Sequence, residues 1–559
     1  MVYNMVMGLL KCRAGLCLIL LVVACGGLSG VGMAEALHEA AANGDVAALK
    51  SLLDSEVDPD QRDEQGRTAL HHATSRGHRG AVRLLIAMGA DPAAPDRQGF
   101  TPLHHAAEGG DAELIDLLLE SRIKIDAAAQ GDLTPLHVAV LAGKAEAVEA
   151  LLEAGASLRS EAWGGYSPLH YAVFASDRAM LRRLIAANAP LDQANAAGRT
   201  PLLTAVAAGD TELAGLLVAA GADVEAADCG GVTAVHVAAI NHRLQMLKLL
   251  IEAGADVNHV KPPLRRNAFE VLLRDPKPEA DPMMAMLVEQ GARVPLRLDE
   301  RRSPLHVTAA AGLEKTTEAL LERRVPVGAR DAKDLTPLDL AVAGGHAAIV
   351  AELLEQGADQ HNRDRQGRTP LHHAVSSGNV ALVNALVRQR GPVNAVDEDR
   401  LTPLHYAARA DLPRVIGVLA QAQARLDAAD EQGRTPLHHA ATAGNAEAAK
   451  ALLEAGATAD AVDRKRFTPL HLAVEAQQLG VVKRLVQAGA DVNATNAFNQ
   501  TPLHMAAVRG ATQIIEQLLE AENIDINARG QKGWTPLRWA QIAEQEEAAD
   551  LLRRHGARP

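Results

Sequence analysis

From about Leu37 onward the chain repeats one four-residue phrase at a step of 33 residues. Thr101, Thr134, Thr369, Thr402, Thr435, Thr468 and Thr501 each open Thr-Pro-Leu-His. Looser copies keep the frame at Ala36-Leu-His38, Thr68-Ala-Leu-His71, Ser167-Pro-Leu-His170, Thr233-Ala-Val-His236 and Ser303-Pro-Leu-His306. A fixed period of this size predicts a stack of small units that bury one another's faces, because no unit is large enough to hold a core of its own. Function in such a chain belongs to a long surface, not to a single catalytic pocket.

The segment 435–467 shows what each unit is built to do. Thr435 followed by Pro436 is the order of a helix cap and a first helical residue. A helix is predicted over Pro436–Ala443, closed by Gly444, which can adopt positive φ. A second is predicted over Ala446–Glu454, with Ala449, Leu452 and Leu453 at helical spacing and Gly456 as its stop. Residues 457–467 carry turn chemistry and no helical period, so they read as a hairpin-like connection. Helices this short need neighbours to survive.

The register slips once. Between the starts at Thr233 and Ser303 lie four residues more than two units need. Asn267-Ala-Phe-Glu270 fills the tetrad slot, and the surplus falls in Asp275-Pro-Lys-Pro-Glu-Ala-Asp-Pro282. One reading is a degenerate repeat, 267–302, with a lengthened polar turn. The other is a hinge between two stacks, favoured by Lys261-Pro-Pro-Leu-Arg-Arg266, since paired prolines interrupt helical order.

The tetrad, its period and the glycines in phase with it resemble the ankyrin repeat family over nearly the whole chain. The resemblance implies an all-α solenoid of about sixteen helix-turn-helix units joined by short hairpin-like loops. It places repeats at 36–266 and 303–534, flanking the degenerate unit, with a capping repeat at 535–559 whose Glu544, Glu546, Glu547, Arg553 and Arg554 suit a face without a neighbour. It further implies that the tetrad histidine is structural, holding one repeat against the next: His104, His137, His372, His405, His438, His471 and His504, with the looser copies. The family's members mostly bind proteins, and the variable residue after the tetrad lies near the inner, concave face.

The first residues form a separate device. Lys11 and Arg13 precede eleven apolar or small residues, Ala14–Ala24, the form of an export signal and too short for a membrane span. Residues 1–24 are therefore expected to be a signal peptide and 25–35 a linker. Val22-Val-Ala-Cys25 is similar to a bacterial lipoprotein cleavage box, in which Cys25 would carry the lipid. Ordinary cleavage after Ala34, or translation from Met33 and a cytoplasmic protein, are the competing readings. Only Cys229 remains in the repeat body, so no internal disulfide is expected.

The formal net charge is −13, and losing Lys11 and Arg13 would take it to −15. A body of this charge repels nucleic acid in the absence of a basic stripe, so no nucleic-acid partner is expected. Basic residues at the hairpin ends alternate with acids and read as a solvated rim. The chain has 22 histidines, which invites a metal reading. Equivalent residues in successive units stand about 10 Å apart, whereas zinc ligands converge to about 2 Å from one point. No phosphate-loop, zinc-protease, nucleophile-elbow or EF-hand spacing appears. No enzyme activity, cofactor or metal is expected.

The residue after the tetrad forms a ladder: His72, His105, Val138, Tyr171, Thr204, Val237, then His373, Tyr406, His439, Leu472, Met505 and Trp539, of which His72, His105, Tyr171, His373, Tyr406, His439, Leu472, Met505 and Trp539 are the candidate contacts. A purely packing position would favour Ala or Leu, and aromatic residues total only twelve in the chain. Since aromatic side chains carry much of the energy of protein interfaces, this ladder is the expected protein-binding surface. The functional expectation is a non-enzymatic interaction scaffold, monomeric in its body, at the bacterial envelope, in the periplasm or held there by a lipid. The alternative is a host-directed or cytoplasmic effector using the same surface.

Overall fold

A computed structural model describes residues 30–559. The expected signal over 1–24, Cys25 and the first part of the 25–35 linker lie outside the described residues. The helix Gly30–Asn43 runs through the rest of that linker.

Among the described residues the chain forms sixteen pairs of short α-helices, with β-pairing limited to two isolated bridges at hairpin bases. The pair Pro436–Ala443 and Ala446–Glu454 shows why. Thr435 is extended at φ −88° and ψ 167°, caps the first helix, and hands on to Pro436 at its first position. Gly444 ends that helix at φ 82°, a conformation that costs any residue with a Cβ. The helices bury Leu437, Ala440 and Ala441 on one side of the pair and Ala448, Ala449 and Leu452 on the other. First helices pack on first helices of the next repeat and second on second, so each unit's apolar face is covered by its neighbour.

The connections are hairpins braced by an aspartate. Asp463 Oδ1 accepts the N–H groups of Lys465 and Phe467, both at 2.8 Å, and Asp463 N–H meets the Phe467 carbonyl at 2.9 Å. Neighbouring hairpins are joined edge to edge through one backbone bond: Arg464 N–H donates to Gln432 O at 2.9 Å, and Ala497 N–H to Lys465 O at 2.9 Å.

The described chain divides into two compact units, one running to Leu272 and one from Leu273 to Pro559. The division falls inside the irregular repeat. Its first helix, Ala268–Leu272, has only five residues and closes the first unit. In the second unit a 3-10 turn, Pro278–Ala280, leads into the helix Asp281–Glu289. The surplus residues therefore sit between the two helices. Within each unit the register is kept.

Candidate protein-binding surface

The tetrad histidine is a tie between repeats. Thr435 donates its backbone N–H to His438 Nδ1 at 3.1 Å, with the Thr435 hydroxyl 2.9 Å from the same nitrogen. An N–H can only donate, so Nδ1 must be the acceptor and the neutral ring carries its proton on Nε2. That Nε2–H donates to the Phe467 carbonyl of the next repeat at 2.9 Å. The same bond runs from His71 to Phe100 (3.0 Å), His104 to Leu133 (3.0 Å), His372 to Leu401 (3.1 Å), His405 to Arg434 (3.1 Å), His471 to Gln500 (3.0 Å) and His504 to Trp534 (3.0 Å). In His137 the Nδ1 side is kept but Nε2 has no hydrogen-bond partner. These rings are fully buried. Burial lowers their proton affinity, to about 4 for His104, His372, His405 and His471 and about 3 for His71, against an ordinary 6.5. With both nitrogens engaged, such a ring can neither ligate a metal nor shuttle a proton. Among the described residues no group of three or more His, Cys, Asp or Glu is placed to hold a metal ion.

The ladder after the tetrad has a task that its residue types alone did not reveal. His439 Nε2 lies 2.8 Å from Asp430 Oδ2, while Asp430 Oδ1 braces its hairpin through Gln432 and Arg434 N–H, each at 2.8 Å. His72 pairs with Asp63 at 2.9 Å, His373 with Asp364 at 3.1 Å, and the Tyr406 hydroxyl donates to Asp397 at 2.7 Å. In each case the partner is nine residues upstream. His105 stands 3.9 Å from Asp96, too far for a hydrogen bond. The other side of these rings packs edge-on against the preceding tetrad histidine: centroids are 5.2 Å apart for His405 and His439, 5.4 Å for His372 and Tyr406, 5.1 Å for His137 and Tyr171. Here the sequence expectation needs correcting. Packing does account for most His and Tyr in this column, because His72, His373, Tyr406 and His439 lock their own hairpins, and Tyr171, Tyr406 and His439 cover the previous tetrad histidine.

The ladder is uneven in exposure. Tyr171, Leu472 and Met505 are buried, at 1%, 3% and 8% exposure, so they present little surface to a partner. Tyr171 follows a hairpin with Ala162 in place of the aspartate, and its buried hydroxyl has no partner. His72, His105, His373, Tyr406, His439 and Trp539 are half-buried and form the accessible part. Trp539 stacks on Trp534 with centroids 5.1 Å apart.

One repeat breaks the tie and repairs it. Thr336-Pro-Leu-Asp339 puts a carboxylate where histidine belongs. Asp339 Oδ2 accepts the N–H and hydroxyl of Thr336, both at 2.8 Å, which keeps the cap. The missing ring N–H is replaced by Asn362, whose Nδ2 donates to Asp339 Oδ2 at 2.7 Å. Equivalent positions in the next repeats are Ala395, Ala428 and Ala461, so Asp339 and Asn362 depart from the pattern together. Burial raises the Asp339 carboxyl's proton affinity. Asn362→Ala should therefore cost about 1–2 kcal/mol, the loss of one hydrogen bond to a buried carboxylate oxygen that keeps the Thr336 N–H and hydroxyl. The double variant Asp339→His/Asn362→Ala, which restores the common tie, should be close to wild type. A thermodynamic cycle on chemical denaturation checks this; additive single effects would show that the two residues do not compensate.

The profile of a family described as ankyrin repeats (3 copies) matches residues 37–129, 126–191, 175–261, 279–364, 360–430, 418–496 and 481–559. The stretch left between 261 and 279 is where the short helix and the surplus residues lie. No curated protein matches the chain. Paired helices, hairpins, histidine ties and a profile match over nearly all of its length agree: the chain belongs to the ankyrin repeat family.

Proposed function

We propose that this protein is an interaction scaffold of the bacterial envelope, holding a protein partner on the hairpins and accessible ladder residues of its units, His72 and His105 in the first and His373, Tyr406, His439 and Trp539 in the second. The observation that carries the reading is the fate of the histidines. The chemistry-bearing residues of the repeats are spent on ties and hairpin locks, which leaves an extended surface as the working part. Export is supported by Lys11, Arg13 and the apolar run Ala14–Ala24, and lipidation by Val22-Val-Ala-Cys25. No helix of the described residues is long and apolar enough to cross a membrane, so attachment in this reading runs through Cys25. A cytoplasmic or host-directed role remains the second reading, on the strength of Met33 as an alternative start.

Fractionation of native cells expressing a C-terminally tagged chain tests the proposal, together with mass analysis of the mature N-terminus. The expected result is a membrane-associated protein beginning at a lipid-modified Cys25. Cys25→Ser should move it out of the membrane fraction without changing its melting profile. A soluble cytoplasmic chain beginning at Met33 would overturn the envelope reading and leave the scaffold reading to the pull-down of the same tagged protein.

A further inference from the structure

The last three hairpins, 458–467, 491–500 and 525–534, carry a surface that the repeat architecture does not require. Phe498 is 49% exposed and Val462 53% exposed. Phe498 occupies a hairpin-tip position held in other repeats by polar residues (Gln65, Gln98, Gln366, Asp399, Gln432, Lys465) or small ones (Gly131, Gly164, Ala197, Gly230). Its one ring neighbour among the described residues is Phe467 of the preceding hairpin, with centroids 6.4 Å apart, and about half of the side chain stays open to solvent. The hairpins form one edge, because Ala497 N–H donates to Lys465 O at 2.9 Å and Asn499 Nδ2 to Arg529 O at 3.1 Å. Lys532 lies 4.8 Å over the Trp534 ring at the far side.

Arg464, Lys465, Arg466, Arg529 and Lys532 are exposed, and none forms an ion pair among the described residues. Three exposed acids stand nearby and keep their charge while each accepts a backbone amide: Asp460 from Asp491 N–H at 2.8 Å, Asp491 from Asn493 N–H at 2.9 Å, and Asp525 from Asn527 N–H at 3.0 Å. Free cations beside exposed aromatic surface, in a chain of net charge −13, mark a local departure from the rest of the molecule.

We propose that this edge, with Val462, Phe498 and Trp534 as apolar contacts and Lys465, Arg466 and Lys532 as charge contacts, docks an acidic peptide segment that carries a large apolar side chain. It rests on the scaffold reading and names the partner's chemistry. Cations interleaved with aromatic rings also suit single-stranded nucleic acid, but the negative field of the whole chain opposes the approach of a polyanion. A short segment avoids most of that field, pairs with a few cations, and buries its apolar anchor against Phe498.

The test uses the full chain on an array of fifteen-residue peptides of four compositions: Glu with Phe, Glu with Ser, Gln with Phe, and Lys with Phe. A fluorescent oligothymidylate is titrated in parallel. Expected is a clear preference for Glu with Phe, reduced at least tenfold both by Phe498→Ser and by Lys465→Glu/Arg466→Glu, each with an unchanged melting profile. Gln65→Glu and Gln98→Ser on the opposite unit's hairpins should leave binding intact. Indifference to peptide charge, or full binding by the charge-reversed variant, would overturn the proposal. So would tighter binding of the oligonucleotide. If the array is silent while tagged protein still captures a partner from cells, this edge is wrong and the scaffold reading stands; if both are silent, the scaffold reading falls as well.

Discussion

Acidifying the protein from neutral pH to about pH 4 is expected to unfold both units. Burial pushes the tetrad imidazoles below their ordinary 6.5, to about 4 in His104, His137, His170, His372, His405 and His471 and about 3 in His71. His236, His306, His438 and His504 move in the same direction. The unfolded chain takes up these protons first, so acid favours it. Stability is complete above pH 6.5 and falls as the pH drops toward the folded value, levelling off below it. A move from 6.5 to about 4 corresponds to about 3 kcal/mol per ring, against roughly 5–15 kcal/mol for a whole domain. Protonation also puts a second N–H at Nδ1, facing the N–H of the capping threonine, so the capping end of each tie fails while Nε2–H still donates to the next repeat. Asp339 and Glu352 work the other way, burial making each carboxyl easier to keep when protonated, but they are two groups against eleven tetrad rings. Far-ultraviolet circular dichroism along a pH series should show helix loss centred between about pH 4 and 6. A signal unchanged down to about pH 3 would contradict the account.

Replacing His438 by Ala should destabilise its surroundings by about 3 kcal/mol, while His439→Ala should cost about 1 kcal/mol. His438 loss strands the buried Thr435 N–H and takes one of two donors from the Phe467 carbonyl, which keeps Asp463 N–H. His439 loss frees one oxygen of the buried Asp430, which keeps two backbone partners on the other. Denaturant unfolding of the two variants measures the contrast. Equal losses would mean that the tie and the lock matter alike.

Much of this was legible in the sequence because each repeat states it again. The two helices of 435–467 fall where Thr435, Gly444 and Gly456 place them, since caps and left-handed stops act over a few residues. The lock between the ladder and its hairpin was hidden for a physical reason. It joins residues nine apart across a turn, so neither helical nor strand periodicity points to it. Asp63 with His72, Asp364 with His373 and Asp430 with His439 do recur, yet Asp463 is followed by Leu472 and Asp331 by Leu340, which blurs the signal. Comparing columns in pairs would have found it, and would have found Asp339 with Asn362 too. The binding face is less legible still. Four ladder residues, His72, His373, Tyr406 and His439, are committed to internal bonds, and the exposed Phe498 stands out only once the polar or small tips of the other hairpins are aligned beside it.

The central claim is that the tetrad histidines are neutral ties between repeats. Nuclear magnetic resonance of protein carrying isotopically labelled histidine reads the tautomer of each ring directly at neutral pH. Expected are tetrad rings neutral, with the proton on Nε2 and Nδ1 accepting. Rings protonated at Nδ1, or already imidazolium at neutral pH, would contradict it.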